Sequence, residues 1–298
     1  MLTRRQWGVL VVLTLIWGVN WPMMKFSLRE LSPMYFRAFT MSGGALTLML
    51  FYRWRGVSMR LPRHEIARVM WLSLPNILGW HLFSIIGLQA LASGRASILG
   101  FTMPVWTVLL GVLIFKQPMT RRVGLSVVAA TVAVALLSFQ EFAALSGRPA
   151  GVLWMQAAAL CWALGTLLMR RSATTLPTEA VTVWMLVMGA LAFWCLAVGL
   201  EPWPQVQRFS TGMWWALAFG VVLNYGYAQV IWFGMARNLP PSASAFSIMA
   251  VPLVGISSAA GLVGEIPRGL DWVAAGCITV AIASALIPSR GTRVKGPG

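Results

Sequence analysis

Ten long apolar runs separated by short polar loops dominate this sequence. Each run has about the 17–25 residues that an α-helix needs to cross the hydrocarbon core of a bilayer. The predicted spans are residues 7–26, 33–52, 66–91, 95–115, 123–139, 151–169, 179–200, 212–235, 241–263 and 272–288. Because 58% of the residues are hydrophobic and only 10% are charged, a water-soluble fold is excluded. The sequence therefore predicts an all-α membrane protein with ten transmembrane helices.

The basic residues indicate an orientation in a membrane. The net charge is +16, which in a soluble protein would suggest a nucleic-acid partner. Here Lys and Arg lie at the ends of apolar runs, where they face lipid headgroups and determine topology. Of the 23 basic residues, 16 lie on the side that carries both termini, so we expect both termini to be cytoplasmic. The other seven, among them Arg37, are assigned to the opposite side.

The two halves of the chain repeat the same residues in the same order. Trp162 follows Trp17, and Arg170 follows Lys25, at an offset of 145. At an offset of 148, the matched pairs are Asn76 and Asn224, His81 and Gln229, and Pro104 and Pro252. We therefore predict two five-helix repeats, residues 1–140 and 141–298. Because five is odd, the repeats must enter the membrane from opposite sides, as in transporters that work by alternating access.

Several short motifs occur in the two repeats: WGVNWPMMK, Leu31-Ser32-Pro33, Arg37, the mid-span Pro104 and the pair Gly264-Glu265. Together they resemble the EamA group of the drug/metabolite transporter superfamily, and the tryptophan-rich sequence is similar to YddG-type exporters of aromatic amino acids. The resemblance implies a basket of ten helices around a central cavity lined mainly by spans 1, 3, 4, 6, 8 and 9. One departure is Lys116-Gln117, where the family often has Gly-Glu.

The third and eighth spans carry the densest set of polar side chains. Asn76, Trp80 and Ser84 recur every four residues and so share one helix face. The candidate binding residues in these spans are Asn76, Trp80, His81, Asn224, Tyr225 and Gln229. Since the two asparagines are repeat equivalents, we expect them to approach each other and to bind a zwitterionic ligand through neutral donors and acceptors. The alternative is that these amides only bond one helix to another.

Aromatic residues and prolines complete the candidate site. Trp17 and Trp162 are expected to flank the apolar end of a substrate, with packing against lipid as the alternative. Pro104 and Pro252 each remove a backbone donor inside a span, and the freed carbonyl needs a partner in a bilayer. Their equivalence favours a pair of hinges, with static kinks as the alternative. His81 is interpreted as a cavity residue, a proton acceptor, or a neutral imidazole bonded to a neighbouring helix.

The seven acidic residues all fall in loops or at span ends. Proton-coupled export of organic cations normally needs a carboxylate within the membrane, so this pattern disfavours both cation export and tight proton coupling. We also expect no charged residue within the membrane to compete for the ligand. No metal-ligand spacing or catalytic motif occurs, so we expect no cofactor, no metal and no enzymatic activity. A receptor or scaffold would not require matched inverted repeats.

The sequence thus predicts an inner-membrane transporter that exports amino acids or related small metabolites by alternating access and facilitated diffusion, with aromatic or bulky neutral amino acids favoured. The alternative is a proton-linked exporter of drugs or other metabolites, with His81 as the proton site. The expected partners are the small-molecule substrate and the lipid bilayer, without nucleic acid. We expect a monomer, and an oligomer stays an open alternative.

Overall fold

The computed structural model describes residues 3–116, 118–143, 149–228 and 241–286, and these ranges are helical with short connections and no strand. The α-helices are α1 (Arg4–Ser27), α2 (Pro33–Trp54), α3 (Arg63–Ser73), α4 (Trp80–Ala90), α5 (Ser93–Gly100), α6 (Met103–Phe115), α7 (Arg121–Ala143), α8 (Ala150–Arg171), α9 (Thr178–Leu200), α10 (Thr211–Ala218), α11 (Pro241–Val263) and α12 (Gly269–Leu286). Two π-helical segments are π1 (Leu74–Gly79), between α3 and α4, and π2 (Phe219–Tyr227), after α10. Within the described ranges, six helical stretches are long and apolar enough to cross a membrane.

Helix packing follows the pseudo-two-fold symmetry that inverted repeats require. Helix α2 packs along α9, and α7 packs along α12, so each of these helices contacts its own repeat equivalent. Helix α1 packs along α11, while α8, the equivalent of α1, packs along α5 and α6. The third span is α3, π1 and α4, and the fourth is α5 and α6. The prediction of an all-α fold of two inverted five-helix repeats is confirmed.

Both π-helical segments lie at equivalent positions in the two repeats. At the offset of 148, Leu74–Gly79 falls on residues 222–227, which lie inside Phe219–Tyr227. Pro75 lacks a backbone donor and cannot complete the α-helical pattern in π1. The wider turn recurs in π2 without any proline. π-Helical turns often occur at functional sites. Their shared position therefore supports a functional role for the parts of the third and eighth spans that carry the candidate residues.

Acidic side chains of the second repeat cap helices of the first. Glu201 accepts hydrogen bonds from the Ser32 hydroxyl at 2.7 Å and from the Met34 amide at 3.0 Å, at the start of α2. Glu265 accepts from the amide and the hydroxyl of Ser93, both at 2.6 Å, at the start of α5. A carboxylate at a helix N-terminus satisfies otherwise unpaired N–H groups and complements the helix dipole.

The first repeat provides the same kind of contact to the second. Glu30 accepts from the amide of Ser210 at 2.8 Å and from its hydroxyl at 2.6 Å, before α10, and these bonds hold the pKa of the Glu30 carboxyl below its usual value. Glu65 accepts from the amide of Thr175 at 3.2 Å, before α9. The acidic residues therefore lie at span ends, as predicted, and these four contacts join the two repeats there.

Candidate functional site

The centre of the candidate site is a cluster of aromatic rings from both repeats. Trp80 from α4 and Trp162 from α8 pack edge to face with ring centroids 4.3 Å apart. Trp21 from α1 makes a second edge contact with Trp80, with centroids 6.3 Å apart. Trp80 is only 8% exposed. The structure therefore brings together Trp80 and Trp162, two of the predicted site residues that lie in different repeats, as an apolar wall inside the bundle.

A polar pair lies beside this wall. The Tyr225 hydroxyl lies 3.4 Å from Nδ1 and 3.5 Å from Nε2 of His81, which directly follows Trp80. Tyr225 is 2% exposed, and its ring lies against Gly44 of α2, where there is no room for a larger residue. Gly44 therefore allows π2 to approach α2 closely enough to seat the tyrosine. His81 and Tyr225 are predicted site residues that the fold places in contact.

Arg37 places a charge inside the helical bundle beside the candidate site, where we expected no charged residue to compete for the ligand. It is the fifth residue of α2 and is only 3% exposed. Its Nη2 donates to the Ser84 hydroxyl at 3.2 Å, and its guanidinium lies beside the Tyr225 hydroxyl and the His81 ring. The expectation was wrong because a basic residue near a span end was counted with the outer loop, whereas its long side chain runs inward. Its position one turn inside the span 33–52 was the signal in the sequence.

The two asparagines have different surroundings. Asn76 lies in π1, where its Nδ2 donates to the carbonyl of Leu72 at 2.9 Å. Its side chain contacts α8 so closely that a Cβ atom on Gly165 would lie 2.5 Å from it. Asn224 is half-buried in π2, and no hydrogen bond joins it to Asn76, both residues being within the described part of the chain. Substrate binding by the pair stays a prediction.

Two further candidates complete the predicted set. Trp17 is half-buried on α1 and packs against both apolar clusters of the described core. It lies next to Gly18, which touches Val254 where α1 crosses α11. Gln229 lies outside the residues that the structure describes.

The predicted hinge positions differ in local structure. The fourth span is interrupted at Phe101 and Thr102, and Pro104 is the second residue of the helix that follows. Pro252, its equivalent, lies inside the uninterrupted helix α11. An interruption supplies a place where the halves of a span could rotate, but a hinge motion stays a prediction for both residues.

Gln156 of α8 bonds to the interrupted part of the fourth span and was not singled out in the sequence. Its Oε1 accepts from the Trp106 indole at 2.9 Å and from the Thr102 hydroxyl at 3.2 Å. Its Nε2 donates to the Leu99 carbonyl at 3.4 Å. One amide from the second repeat thus satisfies polar groups around a break in the first. The available signal was a single glutamine within the apolar span 151–169.

The comparisons with known proteins agree with this architecture. The sequence profile of the EamA-like transporter family matches the chain twice, over residues 6–139 and 149–287. An uncharacterized inner membrane transporter of Escherichia coli strain K12, YedA, is 22% identical, with 92% of this chain and 88% of that protein covered. A protein of Salmonella typhimurium named a probable amino-acid metabolite efflux pump is also 22% identical, with 99% of this chain and 98% of that protein covered.

A solved crystal structure shows the same fold. It superposes with a TM-score of 0.67 at 20% sequence identity, covering 95% of this chain and 97% of the other. The two profile matches together span nearly the whole chain, and each coincides with five of the ten spans. The protein is a multi-pass membrane transporter, and it belongs to the EamA-like transporter family.

Proposed function

We propose that the protein exports amino acids, with aromatic or bulky neutral ones favoured, or related small metabolites, across the bacterial inner membrane by facilitated diffusion. The observation that carries this proposal is the cluster at the interface of the two repeats. Trp80 and Trp162 form an apolar wall there, and His81 and Tyr225 place hydrogen-bonding groups beside it. An apolar wall next to a few polar groups suits a small ligand with one apolar and one polar end.

The remaining predicted residues extend the site. Asn76, Asn224 and Gln229 provide neutral donors and acceptors for the polar end of the substrate. Trp17 extends the aromatic wall from α1. The name of the Salmonella relative, a probable amino-acid metabolite efflux pump, supports the choice of amino acids as the substrate class.

The mechanism follows from the inverted repeats. The first repeat, residues 1–140, and the second, residues 141–298, rock against each other so that the site opens to one side of the membrane at a time. Pro104 and Pro252 are the hinges of this motion. The substrate is moved unchanged, so the proposal includes no catalytic step. The protein acts as a monomer in the bilayer.

The orientation places both termini in the cytoplasm, because 16 of the 23 basic residues lie on that side. Labelling of a single cysteine at position 60, in a background without Cys161, Cys195 and Cys277, tests this orientation. An impermeant reagent should leave that cysteine unlabelled in intact cells and label it after lysis. Labelling in intact cells would show that the protein has the opposite orientation.

Transport by purified protein in liposomes tests the function. Labelled phenylalanine should enter the liposomes down its gradient, faster than in protein-free liposomes and at the same rate with or without a pH gradient. The alternative, proton-linked export of drugs or other metabolites through His81, predicts accumulation against a gradient when the pH differs across the membrane, and loss of that accumulation in His81→Ala. Facilitated diffusion alone predicts that the phenylalanine concentrations inside and outside the liposomes become equal, with no accumulation inside.

A further inference from the structure

Arg37 is a buried cation without an acidic partner. All seven acidic residues of the chain are described, and none forms an ion pair with Arg37. Among the described residues, its Nε also has no hydrogen-bond partner. A buried charge is costly unless it is paired and fully hydrogen-bonded. Binding of an anion next to this side chain would therefore be strongly favoured.

Arg95 shows how the same chain compensates a partly buried arginine that has a structural role. Its Nε donates to Asp271 of α12 at 2.9 Å, and its Nη1 donates to Glu141 of α7. Its Nη2 donates to the Gln140 side chain at 2.5 Å. Every nitrogen of that guanidinium has a partner, and two of the partners are carboxylates. Arg37 has the Ser84 hydroxyl at hydrogen-bond distance, and the Tyr225 hydroxyl and the His81 ring lie close by; none of these described partners carries a negative charge.

The position of Arg37 connects it to the candidate site. His81 contacts the Tyr225 hydroxyl and follows Trp80, whose ring packs on Trp162. The Arg37 guanidinium therefore lies next to the polar pair His81 and Tyr225. The aromatic wall of Trp80 and Trp162 lies on the other side of that pair. Guanidinium groups bind carboxylates through charge-assisted and often bidentate hydrogen bonds.

We propose that Arg37 binds the carboxylate of the transported molecule, so that the protein selects apolar carboxylates and does not require an amino group. This inference rests on the proposed function and specifies its substrate class. The described spans place no carboxylate beside Arg37, and the seven acidic residues lie at span ends, so a substrate ammonium has no ionic partner at the cluster. Recognition therefore depends on the carboxylate and on the apolar side chain. Aromatic acids without an amino group belong to the same substrate class, whereas aromatic amines do not.

The test compares three molecules that share one aromatic ring: phenylalanine, 3-phenylpropionate, which lacks the amine, and phenethylamine, which lacks the carboxylate. Each is added to the purified full-length protein, and thermal unfolding and competition with labelled phenylalanine in liposomes are measured. Phenylalanine and 3-phenylpropionate should raise the unfolding temperature and compete for transport, and phenethylamine should do neither. Sodium chloride at the same concentration should have no effect, which separates a carboxylate site from a general anion site.

Substitution of the arginine gives the second arm. Arg37→Gln should weaken binding of both carboxylates by about 10- to 100-fold, as expected for the loss of a charge-assisted hydrogen bond. Arg208→Gln is the matched control, because Arg208 is exposed and should leave binding unchanged. If Arg37→Gln does not fold, the comparison of the three ligands on the unmodified protein decides the question alone.

The outcomes separate this inference from the proposed function. Equal or stronger competition by phenethylamine, or an equal effect of chloride, would overturn the role of Arg37 while leaving amino-acid transport intact. Stabilisation by 3-phenylpropionate in a protein that does not transport amino acids would support the carboxylate site and contradict amino acids as the substrate in the proposed function.

Discussion

The Trp80 and Trp162 rings pack with their centroids 4.3 Å apart, although one belongs to the first repeat and the other to the second. Neither repeat could build this wall alone. If one repeat rocks against the other, the two rings must either slide past each other or move as one unit. The pair therefore connects the proposed binding site to the proposed motion.

Truncation of the wall should change substrate preference. Trp162→Ala removes the ring from the second repeat and leaves space beside Trp80. We expect transport to shift from phenylalanine and tryptophan toward smaller apolar amino acids, with the ratio of rates changing by about 10-fold or more, since a lost apolar contact in a pocket changes discrimination by about 1–3 kcal/mol. Competition among labelled amino acids in liposomes measures the ratio.

The control for this substitution lies on the same helix. Trp154 of α8 stacks on Phe83 and is 39% exposed, so Trp154→Ala removes an indole of equal size away from the cluster. Its substrate ratio should equal that of the unmodified protein. An identical shift in both variants would mean that the change reflects general loosening of α8.

The backbone at Lys116 provides a stability test that is independent of function. Lys116 has φ 52° and Gly264 has φ 74°, and the two positions are related by the repeat offset of 148. Glycine adopts this left-handed conformation without steric cost, whereas lysine does not. Lys116→Gly should raise stability by about 0.5–1 kcal/mol, measured by thermal unfolding in detergent.

Gly264→Ala is the matched reverse experiment. A Cβ atom on Gly264 meets no atom within 4 Å, so only the backbone conformation is affected, and we expect a loss of about 1 kcal/mol. Destabilisation by Lys116→Gly together with no effect of Gly264→Ala would show that the left-handed turns do not determine stability.

The sequence was sufficient to predict the spans and the duplication, because both follow from patterns that are local along the chain. Apolar length identifies a span, and a constant offset identifies a repeat. It also showed that Lys116 stands where related chains often have glycine. It could not show that Lys116 keeps the glycine conformation, since backbone angles depend on how the following segment packs.

The details of the site depended on contacts between distant residues. Pro75 indicates that the third span departs from a regular α-helix, but it does not indicate that the departure is a π-helical turn at Leu74–Gly79. The contact of Asn76 with Gly165 requires the crossing of π1 and α8, which only the fold determines. Arg37 was misplaced because counting basic residues assigns each one to a loop, whereas a long side chain near a span end can point inward.

The hinge prolines should affect transport more than folding. Pro104→Ala and Pro252→Ala each supply an N–H group and allow a more regular helix in a segment that we propose must bend. We expect flux to fall several-fold while the yield of folded, monodisperse protein stays near that of the unmodified chain. Flux in liposomes and size-exclusion chromatography measure the two quantities. Normal flux in both variants would identify the prolines as static kinks.

The asparagines should be required for transport. Asn224→Leu and Asn76→Leu remove the neutral donors and acceptors proposed for the polar end of the substrate, so flux should be abolished in a folded protein. Asn76→Leu also loses the bond to Leu72, so Asn224→Leu is the cleaner variant. Thr131→Val is the control, because the Thr131 hydroxyl bonds within its own helix, to the Val127 carbonyl at 2.8 Å. Normal flux in both Leu variants would mean that the amides serve helix packing.

Exchange across the membrane tests the central claim most directly, because alternating access predicts that substrate on one side speeds the return of the site to the other side. Liposomes containing the purified protein are loaded with unlabelled phenylalanine, or left without it, and the initial uptake of labelled phenylalanine is measured with no pH gradient. The account predicts saturable uptake in both preparations, with faster uptake into the loaded liposomes. Uptake that is absent, or that requires a pH gradient, would contradict it.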